Sequence, residues 1–453
     1  MGVMDRITMQ EIEKDLESFL EYVFGGLGRS ERREALGYYA RGLLLDGDRK
    51  SIAPMAQRLA PEGKAEAVRQ RMQQAVVIAD WDEKLVYRRV AERAYEMLPD
   101  IDAWALDDTG FPKKGRMSAG VQRQYSGTLG RIENCQIAPS LHLASEATGV
   151  CIGMHLYLPQ KWTDAPHRRV RGKIPDELEF KEKWRICLDL IDEALSWGLE
   201  RRPVVADAGY GDVTEFRSEL ASRGLDYVLG VGKTLSVWPP GTRFAVPSEG
   251  QTRIGRPRTR TKPIKDATPL SVEALASLPT TKFRKLTWRE GTRGPQSSYF
   301  AFMRVQTAHK HKSGSEPGPE VTLIAEWPER AEKPTTFYLS NLPPTTARRR
   351  LVYLAKVRWR IEQDYQEMKG ELGLDHFEGR SWQGFNHHVA CVAVAFAFLA
   401  LHRALFPPRV TAADGPKVQA HPPARDHPDD RALPPLPMRV PSTTKTIDAH
   451  LIK

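Results

Sequence analysis

The sequence predicts an α/β fold with a mixed sheet, preceded by a helical segment and interrupted by a β-rich insertion. Three observations carry this reading. Apolar residues recur at helical spacing through residues 1–98. Between 99 and 231 short apolar runs alternate with helical patterns, in the order three strands, a helix, then strand, helix, strand. Helical periodicity returns at 346–405, after a stretch at 232–345 rich in Pro, Thr, Arg and Gly.

Each element has a local reason. Ile12, Leu16, Phe19, Leu20, Tyr22 and Val23 mark a first helix. Residues 30–44 form a second, with Ser30 as candidate N-cap. Residues 51–59, a Pro-Glu-Gly turn at 61–63 and residues 64–79 make a helix–turn–helix-like unit with Arg69, Arg71, Gln73 and Gln74 on its second helix. Residues 1–98 therefore read as a DNA-contacting domain, or as a plain helical bundle. Strands are expected at 101–106, 136–143 and 150–158, the last two joined by a turn at 146–149. A helix follows at 177–197 and a buried strand at 203–206. Asp212-Val-Thr-Glu215 has the pattern of a capping box. The helix it opens buries Val213, Phe216 and Leu220, and Gly224 ends it. A strand at 225–231 completes this part. In the insertion, strand-like pieces fall at 281–288, 298–306, 320–326 and 335–340, with a loose loop at 309–318. Helices are expected at 346–372 and 384–405. The tail at 406–453 is Pro-rich and reads as disordered.

Among the 453 residues, 67 Lys and Arg face 57 Asp and Glu, giving a formal charge of +10 and a pI near 9.3. That balance suits a polyanionic partner, or simply a basic solvated surface. Cys135, Cys151, Cys187 and Cys391 form no Cys-x-x-Cys pair. They read as thiols in a reducing compartment rather than zinc ligands or disulfides. Asp5, Glu11, Glu13 and Asp15 replace the apolar core of a signal peptide. The longest apolar run, 389–401, is too short to cross a bilayer and reads as a buried helix. A soluble, cytoplasmic, nucleoid-associated protein without a membrane partner is expected.

Three acidic positions stand out. In Asp107-Asp108-Thr109-Gly110 a strand would deliver carboxylates to its C-terminal edge and the glycine release the chain. Lys113, Lys114, Arg116, Arg123 and Arg131 follow. A phosphoaspartate hydrolase would need Asp-x-Asp-x-Thr, and a loop cap with no chemistry is the other alternative. Asp207 ends Val204-Val-Ala and precedes Gly209 and Gly211, the strand edge where open α/β sheets place ligand groups. It could instead cap the next helix, though Asp212 fits that role better. Around Glu362, a core stripe of Leu354, Val357, Ile361, Tyr365, Met368 and Leu372 has a second line beside it: Arg358, Glu362, Gln366 and Lys369. That line could hold a metal and phosphate, or be a surface strip with Arg358 paired to Glu362 at i,i+4. Three carboxylates from distant segments can hold two hard divalent cations, and such pairs cut and rejoin phosphodiesters.

Taken in order, these residues resemble the DDE superfamily of insertion-sequence transposases, in particular the insertion-sequence 701 family. The resemblance spans most of residues 30–400. It rests on the runs beginning Asp107-Asp-Thr-Gly-Phe-Pro-Lys-Lys-Gly115, Gly120-Val-Gln-Arg-Gln-Tyr-Ser-Gly127 and Gly130-Arg-Ile-Glu-Asn-Cys-Gln136. Ala206-Asp-Ala-Gly-Tyr-Gly211 and Gly373-Leu-Asp-His-Phe-Glu-Gly-Arg-Ser-Trp382 continue it. It implies an RNase H-like catalytic core and two Mg2+ ions, replaceable by Mn2+, held by Asp108, Asp207 and Glu362, with Asp107 as the alternative to Asp108. Related transposases carry Tyr-x2-Arg-x3-Glu-x6-Lys. Arg358, Glu362 and Lys369 hold those spacings, but Ala355 stands at the tyrosine position and Tyr353 two residues before it. The implied activity is cleavage of double-stranded DNA at terminal inverted repeats and joining of the ends to target DNA, in a homodimeric synaptic complex. A domesticated relative that binds DNA without cutting is the alternative. A metal-dependent phosphohydrolase of small substrates fits the spread of basic clusters poorly.

Those clusters include Arg253-Ile-Gly-Arg256-Pro-Arg258, which resembles an AT-hook-like strand for a narrow minor groove or is an ordinary basic loop. His167-Arg-Arg-Val-Arg-Gly-Lys173 is another. Arg348-Arg349-Arg350 opens the expected Glu362 helix, a poor match to the helix dipole that suggests phosphate contact. Trp288 reads as core rather than a base-stacking residue. His376, His387 and His388 read as core or surface rather than metal ligands.

Overall fold

A computed structural model describes residues 9–98, 100–127, 130–245, 261–264, 267–291, 294–309 and 317–406. Arg256, Arg258, most of the 309–318 loop and the Pro-rich tail lie outside the described residues.

The N-terminal helices are α1 (Met9–Phe24), α2 (Ser30–Leu44), α3 (Ile52–Leu59), α4 (Ala65–Gln73), which runs on into a π-helical turn at Gln74–Ile78, and α5 (Glu83–Met97). Leu16, Val23, Leu36, Tyr39, Met55, Met72, Val86 and Val90 are buried along them. Ser30 is not the cap expected of it. It is the first helical residue, Arg29 occupies the cap position without a side-chain bond, and the Ser30 hydroxyl turns to Glu31.

The middle of the chain supplies β1 (Ala103–Pro112), β2 (Gln122–Ser126), β3 (Arg131–Ala144), β4 (Gly149–Met154), the short helices α6 (Gln160–Thr163) and α7 (Pro166–Gly172), then α8 (Lys183–Ser196), β5 (Val204–Ala206), α9 (Ala208–Gly211), α10 (Thr214–Ser222) and β6 (Tyr227–Val231). Next come β7 (Ser236–Trp238), β8 (Phe244–Ala245), β9 (Lys262–Pro263), β10 (Leu270–Ser271), α11 (Val272–Ala276), β11 (Arg284–Gly291), β12 (Gly294–Thr307), β13 (Glu320–Trp327) and β14 (Thr336–Ser340). The chain then forms α12 (Arg348–Val357), α13 (Trp359–Gly370) and α14 (Trp382–Leu405).

One twelve-stranded sheet runs in the order β10-β7-β12-β13-β14-β6-β5-β1-β3-β2, with β11 on β12 and β4 on β3. Among the described residues, only the β1–β5 and β5–β6 pairs are parallel. β5 and β6 are buried along their whole length, as strands covered on both faces must be. Of the strands of 232–345, β8 and β9 pair in a small sheet of their own, and the others join the main sheet. β14 pairs antiparallel with β6, so the insertion extends the core sheet.

Helix α14 decides how the helices and sheet come together. Its 24 residues are long and apolar enough to span a bilayer, which the 13-residue run read from the sequence was not. Seventeen of these residues are nevertheless buried in the protein, against α1, α2, α5, the π turn and β4. The N-terminal helices and the sheet therefore share one apolar core. His387 and His388 belong to it. His387 sits 3.0 Å from the carbonyls of Val76 and Trp81 and stacks on the Trp81 ring, while His388 Nδ1 meets the Tyr39 hydroxyl at 2.8 Å.

The helix expected over 346–372 is two helices, parted at Arg358. Its φ and ψ of −54° and −26° stay helical, so the apolar stripe passes through the break unchanged. Helix α13 is fastened to β3 by two buried contacts: Tyr365 and Ser140 share a 2.6 Å hydrogen bond, and His142 lies 2.8 Å from Asp364. A Cβ at Gly149 would overlap the Asp364 carboxylate. Gly149→Ala should therefore lower stability by about 1–3 kcal/mol, read as a drop in denaturation midpoint with an unchanged denaturant slope.

Candidate active site

The two neighbours of β1 differ in length. On one side β3 pairs with every residue from Ala103 to Pro112. On the other, β5 meets only Trp104 and Ala105. β1 therefore does not end at its aspartates, and Gly110 does not release the chain, because the β3 ladder keeps the segment extended to Pro112. The aspartates lie within the strand, at the point where its β5 side has opened.

Strand alternation sends the adjacent aspartates to opposite faces. Asp107 accepts from Arg358 Nη1 at 2.7 Å and from the Asp108 backbone N–H at 2.8 Å. Asp108 faces α8 and α9, where its Oδ2 takes Lys183 Nζ at 2.6 Å and the Tyr210 hydroxyl at 3.0 Å. Asp207 follows β5 directly and is the N-cap of α9, its Oδ1 accepting from the Gly209 N–H at 2.9 Å. Asp212 does not take that role or cap α10, whose N-cap is Val213. Its Oδ1 accepts instead from the Gly232 N–H at 2.8 Å. The sequence pattern misplaces the cap because the chain coils one turn earlier than the capping box suggests.

Glu362 is exposed, in the first turn of α13. Its Oε1 takes Arg358 Nη2 at 2.6 Å, so the i,i+4 pair forms. The same guanidinium binds Asp107, and Arg358 thus spans the strand and helix acids. Asp207 and Glu362 line one cleft together with Arg358, Lys356, Trp359 and Tyr338.

The other basic residues divide. Lys369 Nζ donates to the Gly110 carbonyl at 2.8 Å and lies 5.5 Å from the Phe111 ring centroid. It is thereby placed near the acids, and burial lowers its pKa. Lys113, also lowered by burial, gives Nζ to the Phe377 carbonyl at 2.7 Å, a structural use rather than the phosphate contact expected of it. Lys114, Arg116 and Arg123 are exposed. Asn134 binds the Lys113 and Gly115 carbonyls and so ties their loop to the β2–β3 hairpin. Arg348 and Arg349 open α12, not the Glu362 helix. Neighbouring Arg350 meets Asp102 at 2.5 Å, before the start of β1, so this cluster lies about 15 Å of helix from Arg358. Tyr353 also bonds Asp102, at 2.5 Å, away from the acids. Trp288 is partly buried and packs edge-on against Phe300 at the margin of the core.

Lys183 and Tyr210 carried no weight in the sequence reading. Tyr210 stands within the quoted run 206–211 but was given no role there, Lys183 falls in no quoted run, and α8 starts at Lys183 rather than at 177.

Burial pushes the Asp107 carboxyl up to about 7; Arg358 opposes this, and Asp207 and Asp108 add to it. Burial works against the charge on Lys183, yet Asp108 raises its pKa overall. Arg358 is raised in the same way by Asp107 and Glu362. Among the described residues, no three His, Cys, Asp or Glu side chains converge as they stand on one metal position. Two cations, Arg358 and Lys183, divide the acids between two faces.

A central strand, the end of its parallel neighbour and a packed helix thus each supply a carboxylate to this region. A family model described as DDE superfamily endonuclease matches residues 22–295, and the chain belongs to that family. The match takes in Asp107, Asp108 and Asp207 and stops before Glu362. The chain is also similar to the probable transposase for insertion sequence element IS701 of Microchaete diplosiphon, at 26% identity over 200 residues, 44% of this chain and 48% of that protein. It therefore spans about half the length of that curated relative.

The raised pKa of Asp107 has a thermodynamic consequence. Its folded value lies above the unfolded value of about 3.9, so between these values the folded protein holds a proton that the unfolded chain has released. Stability should fall as pH rises from about 4 to about 7. Asp107→Asn should flatten that fall and leave the metal-free protein more stable at pH 8, by roughly 2–4 kcal/mol. Thermal unfolding of both proteins across this range checks it.

Proposed function

We propose that this chain is a DNA transposase that cleaves transposon ends at terminal inverted repeats and joins them to target DNA. The observation that carries the reading is one cleft lined by Asp207, at the end of β5, and Glu362 of α13, whose Arg358 also binds Asp107 of β1. Membership of the DDE superfamily endonuclease family supports it. The strand order β4-β3-β1-β5-β6, with β1 antiparallel to β3 and parallel to β5, supports an RNase H-like core.

The donor chemistry fits Mg2+, a hard cation that takes carboxylate oxygens. Asp207 and Glu362, with Asp108 or Asp107 from β1, would hold the ions. When bound, such ions would activate water, or later a DNA 3′-hydroxyl, and stabilise the leaving oxygen. The protein's own groups do the rest. Arg358 aims Glu362 and, with Lys369, stands beside the crevice where a scissile phosphate would enter. Lys114, Arg116 and Arg123 extend a basic track along the hairpin beyond β1. Mn2+ would substitute, two copies would pair the two ends, and the substrate would put the protein on the nucleoid in the cytoplasm.

The test is cleavage of a labelled duplex carrying the inverted repeats that flank the reading frame, in Mg2+. Asp108→Ala, Asp207→Ala and Glu362→Gln should each cut roughly 1,000-fold more slowly or worse while still binding the duplex. Wild-type rates from all three would sink the assignment. Binding without any cutting by the wild-type protein would favour the domesticated alternative. Asp107→Asn, run alongside, separates the two strand acids.

A further inference from the structure

Lys183 stands where a cation would bind Asp108. It is the first residue of α8, and its ammonium lies 2.6 Å from Asp108 Oδ2. The Tyr210 hydroxyl donates to the same oxygen from the other side, so that atom is committed twice. The Asp108 side chain is 13% exposed and that of Lys183 is 39% exposed, so the lysine approaches from the open side. Asp207 acts on the same ammonium electrostatically.

The two cations of the site are built differently. The Arg358 guanidinium forks to two carboxylates, Asp107 and Glu362, a geometry that suits a fixed brace. The Lys183 ammonium is a compact charge on a flexible stem, with one carboxylate partner shown. A divalent cation on Asp108 Oδ2 would sit roughly 2–2.5 Å from that oxygen. The ammonium cannot keep its present place beside it, because both the space and the charge conflict. A phosphate arriving at the crevice offers the displaced ammonium another anion.

We propose that Lys183 is the built-in counter-ion of Asp108, occupying the cation's place in the free protein and moving to backbone phosphate when DNA binds. Cation loading and DNA binding are thereby coupled. The role rests on the metal-dependent reading of the site given above. It makes Lys183 a positioning residue in the free protein and a phosphate contact in the complex. Coupling is reciprocal, so DNA should raise cation affinity by the factor by which the cation raises DNA affinity.

The test measures binding of Mn2+ by the paramagnetic resonance signal of the free ion, with full-length protein alone and with a short duplex of arbitrary sequence. The wild-type protein should bind Mn2+ weakly alone and roughly tenfold more tightly with duplex. Lys183→Met keeps the stem's bulk and removes the charge. It should bind Mn2+ roughly tenfold more tightly than wild type without DNA, and gain little when duplex is added. Lys183→Gln, a second neutral stem, should behave the same way, which guards against a fold defect in one variant. Asp108→Asn should lose Mn2+ affinity in every condition. If both lysine variants bind Mn2+ no better than wild type while Asp108→Asn loses it, the acid is a ligand and the counter-ion role is wrong. If Asp108→Asn and Asp207→Ala both leave Mn2+ affinity unchanged, the metal reading itself fails and the role of Lys183 falls with it.

Discussion

Because β5 is three residues long and β3 is fourteen, the central strand β1 is held on one side for its whole length and on the other for only two residues. That mismatch creates the crevice. Past Ala105 the backbone of β1 stays extended because β3 satisfies it, while the space beside it is free. Past Ala206 the chain cannot continue as a strand, since Asp207 caps a single helical turn. That turn closes the floor of the crevice. Gly211 packs so tightly on β6 that a Cβ would strike the Gly230 carbonyl. A longer β5 would cover Asp107 and Asp108, and a shorter β3 would let them fray. The carboxylates are presented by an interrupted strand pairing within an otherwise continuous sheet.

Glu362 reaches the same crevice by a different constraint. Its helix is tied to the sheet at successive positions. Arg360 donates to the Glu146 carbonyl, Asp364 meets His142, Tyr365 meets Ser140, and Lys369 reaches the Gly110 carbonyl. These contacts fix the rotation of α13 about its axis, which leaves Glu362 on the open side. Burial works against charge on His142, yet Cys151 and then Asp364 raise its pKa overall, while burial raises that of Asp364. A buried hydrogen-bonded pair of this kind resists slippage, because breaking it would leave both polar groups unpaired in the core. The long buried helix α14 then backs α13 and the N-terminal helices alike. The parts of the chain that look separable in sequence are thus mechanically one body around the site.

How much of this was legible in the sequence follows from what is local. The apolar stripe from Leu354 to Leu372 was readable, and all six of its residues are buried, because helical periodicity is written in consecutive residues. Most strands were readable for the same reason, within a few residues at their ends. The break at Arg358 was not, since its helical dihedral angles leave the spacing intact. Nor was the fate of Asp107 against Asp108. It depends on the register of β1 with β3 and on where β5 stops, both set by distant pairing. Asp207 took the capping role expected of Asp212 because each precedes a turn, and only the position of β6 shows that Asp212 bonds Gly232. Lys183 had no signal. Its meaning comes from the fold bringing the start of α8 to Asp108.

Charge then links the two faces of β1. On one face Arg358 binds Asp107 and Glu362, and on the other Lys183 binds Asp108, while Asp207 lines the cleft beside Glu362, so the acids outnumber the cations they hold. In a confined site, like charges disfavour one another's ionisation. Burial above all, and then Asp207 and Asp108, keep the proton on Asp107 to near neutral pH. The uncompensated negative charge attracts divalent cations, and it equally repels a phosphate backbone. On the proposed reading these opposing effects set an order. DNA can settle into the crevice only as metal charge accumulates there, and each metal that binds frees a side-chain cation to meet a phosphate. Arg358, forked between two acids, has more to lose by leaving than Lys183, which holds one. The lysine face is therefore where exchange between protein cation, metal and phosphate costs least, and where the site would begin to open.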